Sequence, residues 1–113
     1  MQNRNKLIDS LVGNLSNAVT HAILEKAISK TEKEIAIHYI KELKTSFDAA
    51  RKYREKINPK LTLLPEKDST KVKSKIMKNV KSELLLRISK GYKNINLNLI
   101  EKEVDFVLRL LKV

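Results

Sequence analysis

Cysteine and tryptophan are absent from this 113-residue sequence, and glycine and proline occur only twice each. Without cysteine there is no disulfide framework, no thiol nucleophile and no thiolate metal site. So few glycines and prolines argue against a β-sandwich or barrel, which needs many tight turns. No apolar run approaches the roughly 18 residues that a transmembrane helix requires. The N-terminal stretch has no uninterrupted apolar segment, because Asp9 and Gly13-Asn14 break it, so a cleaved signal peptide is not expected. These absences leave one soluble domain spanning residues 1–113, with a cytoplasmic location as the expectation.

Charge is abundant and of one sign. Lys and Arg number 24 against 13 Asp and Glu, a formal net charge of +11. Residues 51–93 hold 14 of the Lys and Arg but only four acids, Glu55, Glu66, Asp68 and Glu83, and so carry +10 of the total. A surface serving solubility alone mixes both signs. Part of the lysine content also fits the Ile- and Asn-rich bias of an AT-rich genome.

Hydrophobic spacing predicts an all-α, antiparallel four-helix bundle with helices over about 6–29, 32–57, 69–90 and 98–112. In the first, Ile8, Leu11, Leu15, Val19, Ala22 and Ile23 form one stripe. Gly13 costs that helix about 1 kcal/mol relative to Ala; a tolerated or closely packed glycine is expected there. Thr31-Glu32-Lys33-Glu34 fits a capping box and starts the second helix after a short link near Lys30. Ala36, Tyr39, Ile40, Leu43, Phe47, Ala50 and Ile57 make its apolar face, and Pro59 limits its extent. In the linker of residues 59–68, Leu61, Leu63 and Leu64 are expected to tuck against the core. Val72, Ile76, Val80, Leu84 and Ile88 form the stripe of the third helix, with Gly91 as its stop. Ile95-Asn96-Leu97-Asn98-Leu99 alternates like a strand without a partner and reads as an extended lead-in, with Asn96 or Asn98 as N-cap. Ile100, Val104, Val107, Leu108 and Leu111 form the last stripe.

The candidate polyanion-binding residues are Arg51, Lys52, Arg54 and Lys56 at the end of the second helix, and Lys71, Lys75, Lys78 and Lys81 on the third. Lys71, Lys75 and Lys78 project opposite the apolar stripe, and no acid lies between Lys71 and Lys81. Such a line suits phosphates, whose contacts release counterions and give salt-dependent, sequence-independent affinity. A solvated lysine face is the plainer alternative. Tyr53 and Tyr92, each beside a cation, suit either stacking on a base or covering the bundle edge. No helix-turn-helix spacing, RNP-type aromatic motif, KH loop or zinc finger accompanies them.

Enzymatic motifs are missing as well. No Gly-rich phosphate loop, nucleophile elbow or HExxH occurs. Glu32 with Glu34, and Glu101 with Glu103, are two residues apart and face different ways on a helix. They are helix-start charges that suit the dipole. His21 and His38 fall at comparable heights in the first hairpin, but neither has a carboxylate at ligand spacing, so exposed or edge histidines are expected. The chain therefore reads as a non-enzymatic protein with no cofactor, no metal and no evident small-molecule substrate.

The segment Ser74-Lys75-Ile76-Met77-Lys78-Asn79-Val80, a short turn, and the lead-in Ile95-Asn96-Leu97-Asn98 before a last helix resemble the back half of bacteriocin immunity proteins of lactic acid bacteria. Small size, high basicity and an antiparallel four-helix bundle belong to the same resemblance. It implies protection of a producer cell by engaging a membrane receptor–bacteriocin complex from the cytoplasmic side. Three readings follow: a helical protein bound to DNA or RNA backbone, an interaction module for an acidic or membrane-associated protein partner, and a structural homodimer.

Overall fold

The computed structural model describes residues 4–28, 32–58 and 63–113. It is an antiparallel bundle of four helices, α1 (Arg4–Ile28), α2 (Lys33–Ile57), α3 (Glu66–Ser89) and α4 (Ile100–Leu110), with no strand among the described residues. A 25-residue helix is about 37 Å long, and α1 and α2, of 25 residues each, set the long dimension of a 44 × 23 × 22 Å molecule.

α1 is the hub. It packs on each of the other three helices, α3 packs also on α4, and α2 packs on α1. The sequence pattern predicts one apolar stripe on α1, but burial extends around most of its circumference. Leu7, Val12, Ala18 and Leu24 join the expected Ile8, Leu11, Leu15, Val19 and Ile23, while Ala22 is only half-buried. Two polar side chains, Ser16 and Thr20, are buried as well. The Ser16 hydroxyl donates to the Val12 carbonyl at 2.7 Å, the usual way a helix hides a hydroxyl. Gly13 is exposed, and a Cβ there would meet nothing within 4 Å. It is therefore a tolerated glycine and not a closely packed one.

Ion pairs fix the direction of the neighbours. Arg4 pairs with Asp68, and Lys75 reaches Asp9 at 3.6 Å. α1 and α3 therefore run parallel from the same end. Asn79 Nδ2 donates to Ser16 Oγ at 3.4 Å farther along the same seam. Lys26 pairs with Glu103 across α1 and α4. Lys73 bridges α3 to Asp105 at 2.9 Å and Glu101 at 3.6 Å on α4. Each such pair near the surface contributes at most about 1 kcal/mol; together they set register.

Several expected details differ. α2 starts after Glu32, whose side chain makes no capping bond; Thr31 and the link near Lys30 lie outside the described residues. Ile40, placed on the α2 core face by spacing, is 50% exposed, and Ile88 at the end of the α3 stripe is also exposed. α3 begins at Glu66, three residues earlier than its polar start suggested; Pro65 stands at the N-cap position without a side-chain capping bond, and Glu66 and Asp68 complement the dipole of the first turn. Leu64 is buried, but Leu63 points out; Leu61 lies outside the described residues. The lead-in to α4 ends in a 3-10 turn, Leu97–Leu99, where Asn96 caps by accepting from the Asn98 amide at 3.0 Å. α4 is correspondingly shorter than 98–112.

Two helix ends use the same left-handed stop. At the end of α3, Gly91 has φ +98, Gly91 N–H donates to Ile88 O at 3.0 Å, and Tyr92 N–H donates to Arg87 O at 3.1 Å. This is the Schellman arrangement. At the end of α4 the left-handed residue is Lys112, φ 56, with Val113 N–H donating to Leu108 O at 2.9 Å. The two sites predict substitutions of opposite sign. Gly91→Ala should lower unfolding free energy by about 1 kcal/mol and Lys112→Gly should raise it by about 0.5–1 kcal/mol, both read from urea denaturation midpoints at unchanged slope.

Candidate polyanion-binding face

Among the described residues, the cations paired with carboxylates differ in place from the lysines on the outer face of α3, and exposed cations without an ion pair occur on α1, α2 and α4 as well. Arg4, Lys26, Lys73, Lys75 and Arg87 lie at helix seams and are paired with carboxylates. The hydrogen bond to Asp105 raises the Lys73 pKa above its ordinary value. Burial would depress the Arg87 guanidinium, but the hydrogen bond to Glu83 and the nearby Tyr39 and Tyr92 outweigh it and raise it. Lys71, Lys78 and Lys81 lie on the outer surface of α3, exposed, with no ion pair among the described residues. Of the four expected α3 contacts, Lys75 is the one already engaged, by Asp9.

Helix geometry explains this split. At 100° per residue, the buried Val72, Ile76, Val80 and Leu84 centre on one direction, and Lys78 projects opposite to it. Lys71 and Lys81 flank Lys78. Lys67, exposed and four residues before Lys71, continues the line and was missed because it falls before the expected start of the helix. From Lys67 to Lys81 the face runs about 21 Å at 1.5 Å per residue. That is the axial length of about six base pairs of duplex.

The α2 residues behave differently. Arg51, Lys52 and Lys56 are exposed. The Arg51 guanidinium lies 5.3 Å from the centre of the Phe47 ring, and Lys56 Nζ lies 5.5 Å from that of Tyr53. Tyr53 itself is half-buried against the core, which makes it an edge cover with one face already occupied. Tyr92 is 42% exposed with Arg87 over its ring.

Arg54 corrects the expectation. It is 1% exposed, and its Nη2 donates to the Lys112 carbonyl at 2.9 Å. Burial pushes its pKa below the ordinary guanidinium value. Arg54 therefore joins the end of α2 to the end of α4 and cannot meet an external phosphate as an exposed side chain would. A signal was present in the sequence: position 54 follows Ala50 by four and Phe47 by seven, on the apolar line. Among the described residues, α2 and α3 do not form a closely packed pair of helices as α1 does with each of them.

The histidines are separate. His21 is half-buried, with Nδ1 donating to the Asn17 carbonyl at 2.7 Å and its ring tilted against Tyr39. His38 is exposed beside Glu42, 3.6 Å away. Burial, then proximity to Tyr92, raises the Tyr39 pKa, with Arg87 acting against it. Among the described residues, no group of three or more His, Asp or Glu gathers as a metal site would, and no helix is long and apolar enough to cross a membrane.

Arg54→Ala should lower unfolding free energy by about 2–4 kcal/mol, since it removes a buried, hydrogen-bonded charge. Lys52→Ala should stay within about 0.5 kcal/mol of wild type. Thermal unfolding of the two variants in parallel checks the contrast. No protein-family model, curated protein or solved structure matches this chain.

Proposed function

We propose that this protein is a non-enzymatic binding protein that engages a nucleic-acid backbone through the outer face of α3. One observation carries the reading. The cations at helix seams are neutralised by carboxylates, while Lys71, Lys78 and Lys81, with Lys67, stand exposed in line without ion pairs among the described residues. Lysines on a solvent-facing helix act as point charges toward phosphate without base selectivity. Binding is therefore sequence-independent, and Arg51, Lys52 and Lys56 add a second, smaller contribution from α2.

Bacteriocin immunity is the second reading. The antiparallel four-helix bundle has the architecture that the resemblance implies, although architecture alone does not carry function. Its test is resistance of cells expressing the chain to the bacteriocin of a candidate producer.

Fluorescence anisotropy on generic duplex DNA and RNA, over a series of salt concentrations, tests the first reading. With four phosphate contacts, log K should fall against log salt with a slope of about −3 to −4, from micromolar dissociation constants at low salt. The variant combining Lys71→Glu, Lys78→Glu and Lys81→Glu should lose binding while retaining helix content by circular dichroism. Absence of binding at low salt, indifference to salt, or full binding by the triple variant would each refute it.

A further inference from the structure

Over α1, between α2 and α4, lies an apolar slot. Ala18, Val19 and Ala22 of α1 form its floor. Phe47 of α2 and Phe106 and Leu110 of α4 form its walls. Phe106 is 51% and Leu110 55% exposed, which leaves adjoining apolar surface at the mouth of the slot. The slot holds about 160 Å³. An apolar cavity of about 150 Å³ admits one benzene-sized group, so the space suits a single Phe- or Leu-sized side chain and not a larger cofactor.

The surroundings of the slot are cationic. Arg51 lies against the Phe47 ring. Exposed Lys102 and Arg109 fall four residues before and three after Phe106, on the same side of α4. Leu110 is shared with an adjoining cleft lined by Arg51, Arg54, Glu55 and Lys112. The ends of α2 and α4 bring about half a negative charge each to that cleft, and Glu55 a full one, which leaves the three cations in excess. The other carboxylate at the slot, Glu103, is already paired with Lys26.

We propose that this slot docks an amphipathic helix of an acidic protein partner, with one Leu or Phe anchor in the cavity and carboxylates against Lys102, Arg109 and Arg51. The mode is helix-in-groove recognition. A second copy of the chain is disfavoured, because a symmetric contact would set basic rim against basic rim in a protein of net charge +11. A lipid surface is disfavoured because the site is a recess, whereas insertion needs protruding apolar side chains. This surface involves α2 and α4 and is independent of the α3 lysine line.

The probe is a synthetic helical peptide of about 16 residues with leucines at i, i+3, i+4 and i+7 and glutamates on both flanks, labelled for anisotropy. It should bind the full chain, and the same peptide with lysine for glutamate should not. Combining Phe106→Ser and Leu110→Ser should weaken binding about tenfold or more. So should Lys102→Glu with Arg109→Glu, which leaves the core untouched. The Lys71, Lys78 and Lys81 triple variant should bind as wild type. No binding at millimolar peptide, equal affinity for both peptides, or insensitivity to the α4 variants would overturn the proposal. So would a dimer or binding to anionic vesicles that is abolished by Phe106→Ser and Leu110→Ser in place of peptide binding.

Discussion

α1 carries buried side chains around most of its circumference, from Leu7 and Val12 to Ala18 and Leu24, and the rest of the architecture follows from enclosing it. A helix of that kind is unstable at a surface, since each fully exposed Leu, Ile or Val forgoes about 1.5–3 kcal/mol of burial. Three helices pack against it and enclose it. α3 and α4 meet each other and cover one flank; α2 covers the other nearly alone. The coverage is economical but uneven. Where α2 and α4 diverge, Ala18 and Val19 of α1 are still buried and Ala22 is half-buried, and the exposed Phe106 and Leu110 border the opening.

Enclosure also sorts the charges. Side chains at the seams around α1 have partners from a neighbouring helix, and long cations there reach carboxylates: Arg4 to Asp68, Lys75 to Asp9, Lys26 to Glu103, Lys73 to Asp105. Arg54 is the extreme case, a guanidinium drawn wholly into the bundle where it holds the last turn of α4. A cation near a helix C-terminus complements the dipole. The helix it serves directly is α4, although it belongs to the last turn of α2. Positions on the outer surface face solvent, and the α3 lysines there make no ion pair among the described residues.

This also explains what could be read in the sequence. The helices were legible because each has several turns of three- and four-residue spacing, and Gly91 and Asn96 mark ends through backbone geometry that those residues favour. The outward direction of Lys71 and Lys78 was legible for the same reason. Partners across helices were not. Nothing local to Lys75 announces Asp9, and Ile40 continues the α2 stripe in sequence although it is half exposed in the fold. The breadth of α1 burial was hidden in plain composition: Leu7, Val12, Ala18 and Leu24 are apolar, but a search for one stripe sets them aside. The start of α3 was misplaced because polar Glu66-Lys67-Asp68 reads as linker, whereas acids there suit the dipole of a first turn.

The lysine line on α3 is costly to the helix that bears it. Lys67 with Lys71, Lys71 with Lys75, Lys75 with Lys78, and Lys78 with Lys81 are all at three- or four-residue spacing, where like charges oppose helix formation by a few tenths of a kcal/mol each. Among the described residues, Lys75 is the one of these that pairs with a carboxylate. A lysine-rich genome composition would make lysine available at seams and outer faces alike, and lysines do stand at both. It gives no reason for acids to be placed at the seams and withheld from the outer line between Lys71 and Lys81. An external polyanion gives that reason, because phosphates brought to this face would relieve the repulsion that the helix itself leaves standing. The same force that opposes the free helix would then favour the complex, and its dependence on salt would have the same origin.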